Sequence, residues 1–389
     1  MKQNSIRNVK KFMEEFARSS GLNPESSQPK RYLWTDAFAV CNYLELYRLT
    51  NNKDYLDLAI HLVDQVHHIL GKQRPENPKT GWISGLNEGE GEIHPTLGGL
   101  RIGKDMNERM PGEPYNQLLE WDRDGQYYHY LTKWMHALNC TARVTGNIKY
   151  INWASELAKT VHAAFTYLPA SGSEKRMYWK MSIDLTRPMV PSMGQHDPLD
   201  GFITYKEIQA GMMNYKTTEQ TETILDHEIQ DMESICKGMV FTTDDPLGIG
   251  GLLSDATRIT QLMNKGSIKH VELLETVLAS SLIGLRSYTA NNPMNIPADY
   301  RLAFRELGIS IGLKGYRIIR ELLIDNPSFF TEYLEQSLKE LKQYLELANT
   351  IEMFWLDDKN RETRNWKEHM NINTVMLATS LAPAEFLMI

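Results

Sequence analysis

The sequence is poor in cysteine, with three cysteines in 389 residues at positions 41, 140 and 236. A small, odd number of scattered cysteines does not make a disulfide framework, which excludes a disulfide-stapled secreted scaffold. The sequence also lacks any window near the roughly 20 consecutive apolar residues that a membrane helix needs. Residues 1–20 have an amphipathic pattern without the apolar stretch of a secretory signal. We therefore expect reduced, buried thiols in a cytoplasmic protein with no membrane partner.

Clusters of positive charge are missing as well. No run of basic residues exceeds two, and the net charge is −7, which argues against nucleic acid as a partner. The sequence has no HExxH, CxxC, GxSxG or GxxxxGK[ST] motif. His129, His136 and Cys140 share a helical face, but the two histidines are two turns apart, about 10 Å, which is too far for one zinc ion. We expect neither a metal nor a cofactor.

Helical periodicity, in contrast, is present along most of the chain, and no stretch shows convincing strand alternation. Hydrophobic residues make up 42% of the sequence, enough for a substantial core. The pattern predicts twelve helices, at about 3–19, 34–49, 54–70, 124–145, 147–166, 197–213, 221–238, 247–264, 268–287, 299–324, 328–349 and 370–386.

Two segments of the chain repeat one another. Residues 48–67 and 143–162 share eight identities at an offset of 95 residues, among them Tyr55/Tyr150 and His67/His162. Both segments have the pattern of a helix end, a tight polar turn and a new amphipathic helix. Such a repeat indicates a fold built from one supersecondary unit, here a helical hairpin.

The connections between the predicted helices alternate between short and long. Short turns are expected between antiparallel neighbours, and the alternation places all long loops on one face. Six long and five short connections fit a closed ring of six hairpins in which the first helix pairs with the last. We predict an all-α fold, an (α/α)6 toroid, as one domain over residues 1–389. The longest connection, 71–123, contains Trp82, Tyr115 and Trp121, and we interpret it as an ordered lid over the mouth of the ring.

Aromatic residues concentrate in or beside these long connections. Six of eight tryptophans lie there: Trp34, Trp82, Trp121, Trp179, Trp355 and Trp366. An indole ring can stack on the apolar face of a sugar, although it can equally anchor a loop. The run Glu88-Gly-Glu90-Gly-Glu92-Ile-His94 is either a solvated lid tip or a hinged carrier of a carboxylate. The predicted substrate-binding residues are Trp34, Trp82, Trp121, Tyr128, Glu92, His94 and Trp179.

Carboxylates begin the helices that follow long loops, and most of them fit the role of an N-cap. At two places the sequence has more ionisable side chains than capping a helix requires. Trp121-Asp122-Arg123-Asp124 supplies two carboxylates where one would cap the helix, and His196-Asp197 joins an imidazole to a carboxylate. The predicted catalytic residues are Asp122, Asp124, His196, Asp197 and Asp36.

One motif carries a family resemblance. The pattern W-x-D-x-F-x(3)-N-Y-x(2)-L-x(3)-T-x(4)-Y-x(3)-A at 34–59 resembles the hairpins of the six-hairpin glycosidase-like (α/α)6 toroids and of the N-acylglucosamine 2-epimerase-like group. At sequence level the resemblance covers 34–70 and 121–166, and it includes no family-specific catalytic signature. It implies the toroid fold and activity on carbohydrates.

Three hypotheses about function follow. The first is a glycoside hydrolase with paired carboxylates, acting on a neutral oligosaccharide or glycoside, with Asp122 or Asp124 opposite Asp197 or Asp36. The second is a sugar epimerase or isomerase, in which His196, with His94 or His129, moves protons. The third is a toroid that binds a carbohydrate or another ligand without catalysis. The sequence leaves the oligomeric state open.

The first prediction concerns Trp121. If this indole lines a sugar site, Trp121→Ala should weaken sugar binding by about 1–3 kcal/mol, the order of burying a large side chain. Tryptophan fluorescence titrated with a sugar measures the change. Wild-type affinity in the variant would give Trp121 a loop-anchoring role instead.

Overall fold

The chain folds almost entirely into helices. The computed structural model describes residues 2–170, 172, 174–215 and 225–389, and it is 66% helical. The predicted all-α class is confirmed, with helices arranged largely in hairpins and only short strands among the described residues. Within the described residues, no helix is long and apolar enough to cross a membrane. The predicted turn at 214–220 and the start of the predicted helix 221–238 lie largely outside the described residues.

The helices of the first half are α1 (Lys2–Ser19), α2 (Leu33–Thr50), α3 (Lys53–Leu70), α4 (Glu88–Ile93), α5 (Gln117–Asp122), α6 (Tyr128–Thr145), α7 (Ile148–Phe165), α8 (Asp197–Met213) and α9 (Asp226–Cys236). Those of the second half are α10 (Pro246–Asn264), α11 (Glu272–Ala290), α12 (Ala303–Lys314), α13 (Tyr316–Asp325), α14 (Glu332–Leu341), α15 (Leu345–Leu356), α16 (Asp358–Arg361), α17 (Arg364–Glu368), α18 (Met370–Leu381) and α19 (Ala384–Leu387). Short strands are β1 (Gln126–Tyr127), β2 (Thr166–Tyr167), β3 (Arg176–Met177), β4 (Lys180–Met181) and β5 (Pro188–Val190).

The structure corrects three of the predicted boundaries. Helix α6 begins at Tyr128 and not at 124, because Gln126 and Tyr127 pair with β4. The predicted helix 299–324 is divided at Gly315, where a β-carbon would lie 1.9 Å from the Thr257 hydroxyl of α10. The predicted helix 328–349 is likewise divided between α14 and α15.

The predicted long loop 350–369 is wrong. The segment is mostly helical: α15 extends to Leu356, and two short helices follow it. Asp357 and Thr363 cap these helices, since their side chains accept hydrogen bonds from the backbone N–H groups of Lys359 and Trp366. Trp355 and Trp366 are therefore buried helix residues, with rings 5.6 Å apart, and do not line loops.

The repeat found in the sequence is reproduced in the helix boundaries. Helices α2 and α6 are offset by 95 residues at both ends, and so are α3 and α7. The turns match as well, because Asn51 and Gly146 both have positive φ, at 54° and 68°. In each copy a threonine hydroxyl, Thr50 or Thr145, donates to the carbonyl four residues earlier. Two copies of one hairpin therefore have the same local structure.

The chain divides into two compact units, which we describe separately. Unit 1 comprises Met1–Ser19, Glu45–Asn52 and Val240–Ile389. In unit 1, α1 packs against α18, as predicted for the first and last helices, and α12 packs against α10, α15 and α18. A buried ion pair joins Arg301 to Glu306 at 2.6 Å, and Glu306 also accepts the indole N–H of Trp355 at 2.9 Å.

Unit 2 comprises Ser20–Leu44 and Lys53–Met239 and contains all of the predicted site residues. Helix α6 packs against α3, α7 and α8, and α8 packs against α9. The connection 71–123 contains α4 and α5 and is held by buried polar contacts. Thr96 donates to the carbonyl of Trp153 at 2.9 Å, and Arg101 donates to the carbonyls of Ile69 and Lys72. Its role as a lid, and the single domain over 1–389, stay predictions.

The turn after α6 yields a second prediction. Gly146→Ala should lower the free energy of unfolding by about 1–2 kcal/mol, because residues other than glycine are strained at positive φ. Chemical denaturation measures the change. Gly251→Ala is the matched control, since both glycines have open space where the β-carbon would lie but Gly251 is inside α10. Gly251→Ala should stabilise the protein by about 0.5–1 kcal/mol. Equal effects of the two changes would contradict a conformational origin.

Candidate functional site

The candidate site lies at the start of α6, where the chain changes from strand to helix. Gln126 and Tyr127 of β1 pair with Met181 and Lys180 of β4. The fully buried Gln126 side chain donates to the carbonyls of Gly98 and Ile183 at 3.0 and 2.7 Å. These contacts fix the direction in which the following residues enter α6. The positions of the side chains of Tyr127–Tyr130 follow from this junction.

Aromatic side chains surround this point, and we call them the aromatic cluster: Trp34, Trp121, Tyr127, Tyr130 and Trp179. Successive rings are in contact. Centroid distances are 5.0 Å between Trp121 and Trp179, 6.2 Å between Trp121 and Tyr127, 5.2 Å between Tyr127 and Tyr130, and 6.4 Å between Tyr130 and Trp34. The structure therefore brings together three of the four tryptophans predicted to bind substrate.

His129 packs within the aromatic cluster and faces a carboxyl group. Its ring lies 5.4 Å from that of Tyr127 and 4.8 Å from that of Tyr130. Its Nδ1 lies 3.7 Å from Oδ1 of Asp197, the first residue of α8. Nδ1 of His129 and Oδ2 of Asp197 are buried, and neither makes a hydrogen bond within the described part of the chain. Two buried polar atoms at this contact thus have no hydrogen-bond partner among the described residues.

The environment shifts the pKa values of these two groups in opposite directions. Burial lowers the pKa of His129 to about 4, against the opposing effect of the Asp200 carboxylate. Burial, together with repulsion from Asp200, raises the pKa of Asp197 to about 8. Lys133 lies 2.7 Å from Asp200 and holds that carboxylate in an ion pair. Near neutral pH the pair consists of a neutral imidazole, which accepts protons, and a neutral carboxylic acid, which donates them.

His196, the residue before Asp197, is the N-cap of α8 and makes no side-chain capping bond. It is half-buried. Gly194 packs directly on the neighbouring carboxyl group, because a β-carbon there would lie 2.4 Å from Oδ2 of Asp197. The close glycine helps to bury that carboxyl group.

Asp124, a predicted catalytic residue, occupies a different environment. It is fully buried, and its Oδ2 lies 2.8 Å from Arg101 and 3.2 Å from Arg74. Its Oδ1 accepts the backbone N–H groups of Gly103 and Lys104. Both oxygens are thus occupied by groups that hold the 71–123 connection. Asp124 thus has the contacts of a structural anion, and its predicted catalytic role stays a prediction.

The other two predicted carboxylates do not join His129 either. Asp36 is buried, pairs with Arg31 at 3.4 Å and accepts the backbone N–H of Tyr32. Burial raises the pKa of Asp36 to about 6, with Arg31 opposing the shift. Asp122, at the last position of α5, is exposed. Of the predicted catalytic carboxylates, Asp197 alone has a buried oxygen without a hydrogen-bond partner among the described residues.

The remaining predicted binding residues lie elsewhere in unit 2. Trp82 is buried, 5.6 Å from the ring of His68, and His68 pairs with the exposed Glu92 at 2.7 Å. His94 pairs with Glu156 at 2.6 Å. Tyr128 is fully buried and donates to the hydroxyl of Tyr205 at 2.8 Å, which makes it a core residue. Trp82 and Glu92 thus contact His68 near the end of α3, whereas Tyr128 precedes His129 in α6 but packs in the core.

Sequence reasoning missed most of the residues that contact His129. Tyr127 and Tyr130 were not among the predicted site residues, and His129 entered only as one candidate proton carrier. A usable signal was present in the run Tyr127-Tyr128-His129-Tyr130, which places four ring side chains in a row. The pairing of His129 with Asp197 has no local sequence signal, because the two residues are 68 positions apart.

Comparisons with known proteins identify similar folds. No protein-family model and no curated protein matches the chain. Among solved structures, a D-mannose isomerase matches with 11% identity and a TM-score of 0.49 over 98% of this chain and 97% of the other. A cellobiose 2-epimerase from Spirochaeta thermophila matches with 10% identity and a TM-score of 0.47 over 97% and 98%. A cellobiose 2-epimerase from Bacillus thermoamylovorans matches with 9% identity and a TM-score of 0.44 over 81% and 76%. Because these identities and TM-scores are low, the chemistry is inferred from the site alone.

A third prediction separates Asp124 from Asp122. Asp124→Asn should lower the free energy of unfolding by about 3–5 kcal/mol, because it leaves Arg101 and Arg74 beside a neutral buried group. Asp122→Asn, at an exposed position, should change it by less than about 0.5 kcal/mol. Denaturation curves of the two variants measure the difference. A stable Asp124→Asn variant without turnover would restore the catalytic interpretation of this residue.

Proposed function

We propose that this chain is a sugar epimerase or isomerase that removes a proton from the carbon next to the carbonyl of a small reducing sugar and returns it to the same or the neighbouring carbon. The observation that carries the proposal is the contact between His129 and Asp197, two groups with complementary protonation states and unsatisfied buried atoms. The aromatic cluster supplies flat apolar faces on which a sugar ring can stack.

The pair suits a reaction through an enediol. His129 takes the proton from the carbon next to the carbonyl, while Asp197 gives its proton to the carbonyl oxygen. The new carboxylate then lies 3.7 Å from the new imidazolium, and their attraction favours this double transfer. In the return step, Asp197 takes the proton of the neighbouring hydroxyl and His129 protonates the former carbonyl carbon. An aldose becomes a ketose, and both side chains regain their starting states.

The position of the two groups favours isomerisation within this class. His129 and Asp197 are adjacent and therefore approach a bound sugar from one side. Moving a proton between neighbouring carbons on one face of the sugar requires only one such pair of acid and base. Inversion at one carbon requires a second proton carrier on the opposite face, a role for which the half-buried His196 is the candidate from the sequence prediction.

A hydrolase mechanism finds less support in the geometry. Glycoside hydrolysis needs one carboxylic acid and one carboxylate on either side of the bond. Asp197 provides the acid, but Asp124 and Asp36 are held by arginines. Asp200 pairs with Lys133 and is one turn away in the same helix. A histidine base beside a protonated carboxyl group fits proton transfer at carbon better.

A fourth prediction tests the mechanism in deuterium oxide. The sugar panel includes D-mannose and cellobiose, which appear in the names of the similar structures. We expect a ketose or a C2 epimer with deuterium at C1 or C2 by NMR. His129→Gln and Asp197→Asn should each lower kcat by about 10²–10⁴-fold, the usual contribution of a general acid or base. The exposed His270→Gln is the matched control and should retain full activity.

The pH profile gives an independent check on the same variants. The rate should rise as the pH passes about 4, where His129 becomes neutral, and fall as it passes about 8, where Asp197 loses its proton. Asp197→Asn should remove the upper limb. Two reducing fragments from a disaccharide, without deuterium at carbon, would instead establish hydrolysis. Binding without any product would establish the non-catalytic alternative.

A further inference from the structure

Two cysteines and a histidine meet in the interior of unit 2. Cys41 of α2 and His136 and Cys140 of α6 have exposed fractions of 0–2%. One ligand atom from each residue lies within 4.8 Å of the other two. His136 and Cys140 are one turn apart on α6, and Cys41 occupies in α2 the position that His136 occupies in α6, given the 95-residue repeat. None of the three has a part in the proposed proton transfer.

The sulfur–nitrogen distance between Cys140 and His136 matches that between two ligands of a tetrahedral zinc ion. The Sγ of Cys140 lies 3.6 Å from Nε2 of His136. A tetrahedral ion with Zn–S near 2.3 Å and Zn–N near 2.0–2.1 Å separates its sulfur and nitrogen ligands by about 3.6 Å. Thiolates with one imidazole are a donor set that selects zinc over magnesium or calcium. The other pairs lie within 4.8 Å, so a side-chain movement of at most about 1 Å brings Cys41 to the spacing of a zinc ligand.

A second contact orients the histidine. Nδ1 of His136 lies 2.8 Å from Oε1 of Glu207, a buried residue of α8 that also accepts from Asn139 at 2.7 Å. A carboxylate on Nδ1 fixes the tautomer that directs the lone pair of Nε2 towards the two sulfur atoms. Histidine ligands of metals commonly have such a carboxylate or carbonyl partner on the other ring nitrogen.

The charges also balance around a divalent ion. Arg143 lies 3.5 Å from the sulfur of Cys140 and can donate an N–H bond to a thiolate. Two thiolates neutralise one zinc ion, and the exposed Arg143 adds a positive charge at the edge of the cluster. A second cluster, His162, His227 and Asp231, is less suitable because Lys175 already occupies the Asp231 carboxylate.

We propose that Cys41, His136 and Cys140 form a zinc-binding site, with Glu207 positioning His136. The site ties α2 to α6 and is separate from the sugar reaction. The sequence prediction of no metal considered His129, His136 and Cys140 on one helix and did not include Cys41, which comes from another helix.

Cobalt is the probe that tests the site in the full-length protein. Reduced protein titrated with Co²⁺ should show a thiolate-to-cobalt charge-transfer band and tetrahedral d–d bands that saturate at one ion per chain. Zinc should displace the cobalt. The absence of a charge-transfer band in the wild-type protein would overturn the proposal whether or not any variant folds.

Variants locate the ligands. Cys41→Ser and Cys140→Ser should each abolish the charge-transfer band or weaken binding more than tenfold, and Glu207→Gln should weaken it about 10–100-fold. Cys236→Ser is the matched control, since this half-buried cysteine is in α9, and its spectrum should equal that of the wild type. Loss of the band in Cys236→Ser alone would overturn the assignment.

Two further measurements distinguish a zinc site from a disulfide between the same cysteines. Added zinc should raise the Tm of the wild type and of Cys236→Ser, but not that of Cys41→Ser or Cys140→Ser, because only the former bind it in the folded state. In the metal-free protein, intact-mass measurement after alkylation should find all three cysteines modified. A Cys41–Cys140 disulfide in protein purified without reductant, together with no cobalt spectrum after reduction, would contradict the zinc site.

Discussion

The candidate site depends on the burial of Asp124 beside Arg101 and Arg74. This carboxylate joins the 71–123 connection to the residues just before α6, through both guanidinium groups and two backbone N–H groups. A buried charge of this kind is tolerated only when its partners are fixed, so the ion pair fixes the path of the chain at this point. Gln126 completes the same junction with two backbone contacts. The orientation of Tyr127, His129 and Tyr130 follows from that junction.

The repeat explains how one hairpin serves different purposes. Trp34 and His129 occupy the same position in successive copies, and both lie in the group of aromatic rings at the start of α6. Cys41 and His136 are likewise equivalent, and both belong to the thiol and imidazole cluster one to two turns further along. Because the backbone positions are shared, a change of side chain is sufficient to change the chemistry. The two copies thus have different side chains at equivalent positions, while their helix boundaries are the same.

The sequence predicted local and periodic features well. The repeat, the helices of residues 33–70 and 128–165, and the pairing of the first and last helices follow from periodicity and turn residues. It failed where a distant part of the chain decides the outcome. The failure at 350–369 is of another kind, because that segment is helical through its own local caps. The groups that give Asp124 the contacts of a structural anion, Arg74 and Arg101, are 50 and 23 positions away in the sequence. The partner of His129 is equally remote in sequence.

Two buried carboxyl groups in unit 2 show how environment separates structure from chemistry. Asp124 and Asp197 are both nearly inaccessible, and both stand near the start of a helix in the sequence. Asp124 has two arginines and two backbone donors, which satisfy a charged carboxylate completely. Asp197 has a neighbouring carboxylate and a neutral imidazole, so the same burial raises its pKa and favours the protonated acid. Cations that contact Asp124 directly make it part of the fold, whereas Lys133, the cation near Asp197, pairs with Asp200 and only partly opposes the raised pKa of Asp197.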